Sequence, residues 1–200
     1  MRGAVAMLVA VAAAIGSATV SANDAARAEE IVQGKCFLCH GAEGESSSPV
    51  FPRLAGQNAS YIAKQLADYK SGRRKSSAMA PMVEDLNADD FAALGRYYAS
   101  RPTRAHAVQD PELAQVGRVL YLQGNPSSGV AACATCHGPA AQGTEALPRL
   151  AGQHAQYTES QLRQFGKRAR TNDNAVMHAI AGLLTELEVR AVAAYLSGLQ

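Results

Sequence analysis

All four cysteines of the 200-residue chain fall in two short units, Cys36-Phe-Leu-Cys-His40 and Cys133-Ala-Thr-Cys-His137, each followed by glycine. A bare Cys-x-x-Cys pair serves as a redox disulfide, as half of a four-thiolate zinc site, or as an attachment point for haem. Haem attachment is the use that requires a histidine directly after the second cysteine. The two thiols add to the two vinyl groups, and the adjacent imidazole then stands under the ring within reach of iron. Zinc pairing would need neither that histidine nor a shared sequence downstream of both units. The expectation is two covalently bound haem c groups, attached through Cys36 and Cys39 and through Cys133 and Cys136, with His40 and His137 as axial iron ligands.

The second axial ligand has few candidates. Beyond Ala22 the methionines are Met79, Met82 and Met177. Met79 lies seven residues before Leu86 and Met177 seven before Leu184, so these two occupy the same place in the two copies. Met82 aligns with Ile180, an apolar position, and reads as packing or as lining the haem edge. A lone methionine is ordinarily core filler, but a thioether repeated at one place behind each haem motif points to ligation by Met79 and Met177. His106, His154 and His178 have no counterpart in the other copy and read as surface or capping residues; His178, next to Met177, is the rival ligand. Pro52 and Pro148 follow the histidines by 12 and 11 residues. A carbonyl held by a rigid proline could accept the hydrogen bond from a ligating imidazole, or the prolines could simply mark turns. For the neighbouring Arg53 and Arg149, pairing with haem propionates and facing solvent both stay open.

The elements that must hold these groups also come twice. Pro52-Arg-Leu-Ala-Gly-Gln57 recurs unchanged as Pro148-Arg-Leu-Ala-Gly-Gln153, and Tyr61, Gln65, Leu66 and Tyr69 match Tyr157, Gln161, Leu162 and Phe165. Each half reads as helical. A middle helix is expected from about Tyr61 to Lys70 and again from Tyr157 to Lys167. The last helix is capped by Asn87 or Asp89 in the first copy, and in the second by Thr185-Glu-Leu-Glu188, which has capping-box spacing. A first helix precedes each cysteine pair, with Gly117 and Tyr121 one turn apart in the second copy and no clear counterpart in the first. The second copy also carries about seven extra residues between Gly124 and Cys133. The stretch from Arg101 to Pro111 is polar and bracketed by prolines, as a linker would be. The organisation expected is a leader over 1–22, an N-terminal domain over 23–102, a linker over 103–111 and a C-terminal domain over 112–200. Halves of this size bury little surface by themselves, and a buried haem would complete the core.

Met1-Arg2-Gly3, an apolar run from Ala4 to Ile15 and the small residues ending at Ala22 have the pattern of a secretory signal peptide. The run is well short of the ~20 residues of a spanning helix. The formal net charge of +2 is too small and too dispersed for a nucleic-acid footprint. Arg73-Arg74-Lys75 reads as a solvated loop that could also help dock an acidic partner.

Taken together, these markers resemble the dihaem cytochromes c4: two Cys-x-x-Cys-His-Gly sites, the duplicated Pro-Arg-Leu-Ala-Gly-Gln block, paired Gln-Leu-x-x-Tyr/Phe helices, and Arg170-Thr-Asn-Asp173 ahead of Met177. The resemblance covers essentially all of the chain after the leader. It implies an all-α architecture of two tandem cytochrome c-like domains related by a pseudo-twofold, each wrapped around one haem c with His/Met ligation. It also implies a periplasmic electron carrier, sometimes loosely membrane-associated, that takes electrons from an upstream cytochrome or bc1-type complex and delivers them to a terminal oxidase. Two further readings stand beside it. One is the dihaem subunit of a flavocytochrome c sulfide dehydrogenase. The other is a dihaem peroxidase or gas sensor, which would need an iron with a vacant or displaceable ligand.

Overall fold

A computed structural model describes residues 22–200, so the expected leader lies outside the described residues except for Ala22. In the first half α1 (Ala22–Ile31) runs through a π-helical turn (Val32–Cys36) into the short α2 (Phe37–His40). Then come α3 (Ala59–Lys70), α4 (Ala80–Val83) and α5 (Ala88–Ala99). The second half repeats the order with α6 (Pro111–Gln123), α7 (Ala134–His137), α8 (Ala155–Gly166), α9 (Val176–Ala181) and α10 (Glu186–Ser197). The middle helices α3 and α8 each begin two residues earlier than their tyrosines suggested. There is no strand among the described residues; one isolated antiparallel bridge, Asn125–Val130, closes the extra loop of the second half.

Caps fix where the last helices start. Asn87 accepts from the backbone N–H groups of Asp89 and Asp90, while the Asp90 carboxylate accepts from the Asn87 N–H. Thr185 and Glu188 form the matching capping box at α10. Each box satisfies N–H groups that the first helical turn leaves without an internal partner. At α6 the Asp110 side chain caps the Leu113 N–H and Pro111 occupies the first helical position, where its missing N–H costs nothing.

The two cores have the same plan. In each half the last helix lies between the first and the middle ones, α5 against α1 and α3, and α10 against α6 and α8. Gly117 is where α6 crosses α10: a Cβ there would sit 1.9 Å from the Ala191 carbonyl oxygen. Tyr121, one turn on, is fully buried. The first half makes the same crossing with different residues. Ala28 and Val32 take the small and large positions four apart, 1% and 0% exposed. The aromatic ring has moved to the partner helix, since Tyr98 of α5 stands where α10 has Leu196, and both are buried. Volume lost on one helix is regained on the other, which is how a core tolerates exchange at constant packing.

Gly117→Ala should therefore force α6 off α10 and destabilise the protein by about 1–3 kcal/mol, read as a lower denaturation midpoint. Gly34→Ala, where an added Cβ meets nothing within 4 Å, should not lower it.

Candidate functional site

Both attachment turns are last turns of short helices, and each ends in a glycine with positive φ, Gly41 at +73° and Gly138 at +80°. The left-handed conformation, cheap only for glycine, turns the chain away as soon as the histidine has been placed. The four thiols form no disulfide. His40 and His137 are buried, and their Nδ1–H groups donate to the carbonyls of Pro52 at 2.9 Å and Pro148 at 3.3 Å. A carbonyl can only accept, so Nδ1 carries the proton and Nε2 keeps the lone pair that a metal requires. Burial lowers both imidazole pKa values against the raising effect of the proline carbonyl bonds, which favours the neutral ligating form.

Met79 and Met177 hold matching places at the start of α4 and α9, secured by different means. The Met79 N–H donates to Ser76 Oγ at 3.2 Å, and the residue packs against the first core. The Met177 N–H donates to Asp173 Oδ2 at 2.6 Å, and the chain enters α9 through two left-handed residues, Asn174 and Ala175. Met82 is 40% exposed, so it does not pack as its counterpart Ile180 does. His178 bonds through Nδ1 to the Phe165 carbonyl at 3.0 Å.

The arginines beside the proline carbonyls supply a test of whether haem fits. Nε of Arg149 is buried with no hydrogen-bond partner; Nε of Arg53 likewise lacks one and has only an ion-pair approach, 3.5 Å from Glu45. A buried guanidinium N–H without an acceptor is costly, and in both halves it sits one residue from the carbonyl that holds the imidazole. A propionate is the kind of acceptor that would satisfy it. The thiols, the oriented imidazoles and the orphaned donors together match a haem c in each half.

Comparison with known proteins agrees. The family model for cytochrome c matches residues 114–200, and that for the cbb3-type cytochrome c oxidase subunit III matches residues 23–97. Cytochrome c4 of Thiocapsa roseopersicina is 43% identical over 187 residues, covering 92% of this chain and 96% of the relative. The crystal structure of reduced recombinant cytochrome c4 from Pseudomonas stutzeri superposes with a TM-score of 0.83 at 35% identity, covering 88% of this chain and 98% of that one. A protein of Thiomonas intermedia named thiosulfate dehydrogenase electron acceptor is 36% identical, over 81% of this chain and 77% of its own.

The chain belongs to the cytochrome c4 family. It is an electron-transfer protein, not an enzyme, with two cytochrome c domains and two covalently bound haem c groups.

The duplicated hexapeptide builds the joint between the halves of this cytochrome c4. The Gln153 amide accepts from the Arg53 N–H and donates to the Arg53 carbonyl, both at 2.9 Å. Gln57 does the same to Arg149, both bonds at 2.8 Å. Each half grips the other's backbone through the same residue, as an isologous twofold contact demands. Further in, Arg74 donates to Gln65, Gln161 and the Tyr157 hydroxyl, and Arg170 donates to Gln161, Gln65 and the Tyr61 hydroxyl, all at 2.7–3.1 Å. Arg74 is only 8% exposed, which corrects its reading as part of a solvated loop: the pseudo-twofold closes over it. Nor is His154 a free surface residue, because its Nε2–H donates across the joint to the Ser46 carbonyl at 2.8 Å. The linker is also engaged, with Thr103 against Gly56, Val108 against Gly198 and His106 beside Glu45. The sequence signal for the joint was available: Gln, Tyr and Arg repeat in both copies at places where neither core nor iron ligation needs a polar group.

Replacing both Gln57 and Gln153 with alanine removes four interdomain bonds. At about 0.5–1.5 kcal/mol each, their loss should split thermal unfolding into two resolved transitions by calorimetry, with haem content unchanged. A single unshifted transition would show that the clamp contributes nothing to coupling.

Proposed function

We propose that this cytochrome c4 is a periplasmic one-electron carrier that accepts electrons from an upstream cytochrome or bc1-type complex and delivers them to a terminal oxidase. In this reading the thioether links are at Cys36, Cys39, Cys133 and Cys136, and the axial ligands are His40 with Met79 and His137 with Met177. The domains are 23–102 and 112–200, joined by the 103–111 linker, and 1–22 is an export leader. What supports the reading is that the candidate ligands come in duplicate. Each half pairs a buried imidazole bonded to a proline carbonyl with a methionine held at the same place in the repeat. With an imidazole and a thioether from each half holding its iron, no position would be left for a substrate. That favours electron transfer over peroxidase or gas-sensing chemistry. When bound, haem supplies the one-electron iron couple. The chain supplies the imidazole tautomer, a buried setting that excludes water, and a thioether that favours the ferrous state.

None of the helices among the described residues is long and apolar enough to cross a membrane. A second donor is suggested by the relative named thiosulfate dehydrogenase electron acceptor: the carrier could take electrons from thiosulfate oxidation. Reduction of the purified protein by such a dehydrogenase, or its failure, separates the two inputs without touching the ligand assignment.

The test is optical. The wild-type holoprotein should show two covalent haems by pyridine haemochrome and a weak far-red methionine-to-iron band in the oxidised state. Met79→Ala and Met177→Ala should each remove about half of that band and lower one midpoint potential while keeping both haems. A band untouched by either substitution would refute the ligand assignment, and carbon monoxide binding by the native reduced protein would revive the sensor reading.

A further inference from the structure

The pseudo-twofold makes the residues that break it informative. Leu54 and Ala55 donate their N–H groups to the Gly44 carbonyl at 2.7 and 3.2 Å, and Leu150 and Ala151 donate to the Ala141 carbonyl at 2.8 and 3.1 Å. These matching bonds make Gly44 equivalent to Ala141 and therefore Glu45 equivalent to Gln142. The two side chains behave differently. The Glu45 side chain is 14% exposed, with Oε2 3.5 Å from Arg53 Nε and 3.1 Å from His106 Nε2. Gln142 is exposed and its amide folds over Gly138. Among the described residues Arg149, the twin of Arg53, has no carboxylate paired with it, and burial is the influence lowering its pKa.

We propose that Glu45 is a potential-setting residue that holds the first haem below the second. This rests on the haem assignment given above. Ferric iron carries one more positive charge than ferrous iron. A fixed carboxylate nearby therefore favours the ferric form, whereas the second half has the matching guanidinium without that carboxylate, and partial burial weakens solvent screening of the charge. Glu45 is well placed, because the next residue, Ser46, donates its hydroxyl to the Cys39 carbonyl at 2.9 Å and fastens this loop to the attachment turn. His106 adds little compensating charge near neutral pH, since burial and then the Arg53 charge lower its pKa. Another buried acid, Asp68, also faces an amide, Gln164, across the symmetry. But Lys64 and Arg73 neutralise Asp68, and their own equivalents are Ser160 and Ala169. One acid and two cations are lost together there, and the surplus cation of the first half is on side chains 48% and 67% exposed, where solvent screens it far more than it screens Glu45. The consequence is directional: the one-electron-reduced protein carries its electron mainly on the second haem, and internal transfer runs from the N-terminal to the C-terminal half.

The experiment is a spectroelectrochemical titration of the full holoprotein, with each wave assigned to a half by NMR of the ligand methionine methyls. In the wild type the lower midpoint belongs to the first half. Glu45→Gln raises that midpoint and narrows the gap, while Glu45→Asp keeps most of it, which separates charge from shape. A gap unchanged in Glu45→Gln, with two haems and a full far-red band, overturns the proposal, as does a lower midpoint on the second half of the wild type. The haemochrome count reads the underlying assignment independently: fewer than two haems in the wild type would overturn both.

Discussion

The bond from a buried imidazole to a proline carbonyl is the interaction on which the rest of the molecule depends. It pins the attachment turn to the Pro-Arg-Leu-Ala-Gly-Gln loop, sets the tautomer of the histidine, and fixes the position of everything that follows the proline. The same loop then presents an arginine backbone to the glutamine of the other half. One segment thereby couples a haem site to the interdomain contact. This accounts for the unchanged hexapeptide in two halves whose other sequence has diverged.

Symmetry in this protein is enforced by polar groups and relaxed by apolar ones. Hydrogen bonds have directions and distances that tolerate little change when buried, and the interdomain glutamines, tyrosines and arginines are the same in both copies. Hydrophobic packing asks only for volume and shape. The crossing of the first and last helices uses Gly117, Tyr121 and Leu196 in one half and Ala28, Val32 and Tyr98 in the other. Charge is freer still: Glu45 and Asp68 of the first half stand opposite Gln142 and Gln164 in the second.

Burying Arg74, Arg170 and Asp68 between the halves would be unfavourable without partners. Each is surrounded by side-chain oxygens or ammonium and amide groups: Arg74 by Gln65, Gln161 and Tyr157, Asp68 by Lys64, Arg73 and Asn172. Burial acts to raise the Asp68 pKa, yet the Lys64, Asn172 and Arg73 contacts outweigh it and hold the carboxyl below its usual range. Such a network fixes one relative orientation of the domains, since any slip would strand several buried polar groups at once.

The sequence alone determined the cofactor chemistry, the helical class and the duplication. Covalent attachment is written in adjacent residues, helix caps are local, and an internal repeat is read by comparing the chain with itself. The pairing of His40 with Pro52 and of His137 with Pro148 was legible too, as a fixed spacing behind each histidine. What only the tertiary structure decided depends on residues far apart in the chain. Arg74 was indistinguishable from its exposed neighbours until the second half covered it. The glutamine clamps needed two loops about a hundred residues apart to meet. The Ala28 and Val32 pair was hidden because its compensating ring, Tyr98, lies on another helix. Local chemistry can be read along one segment, but burial is a property of the whole fold, and it sets the cost of every polar group placed there.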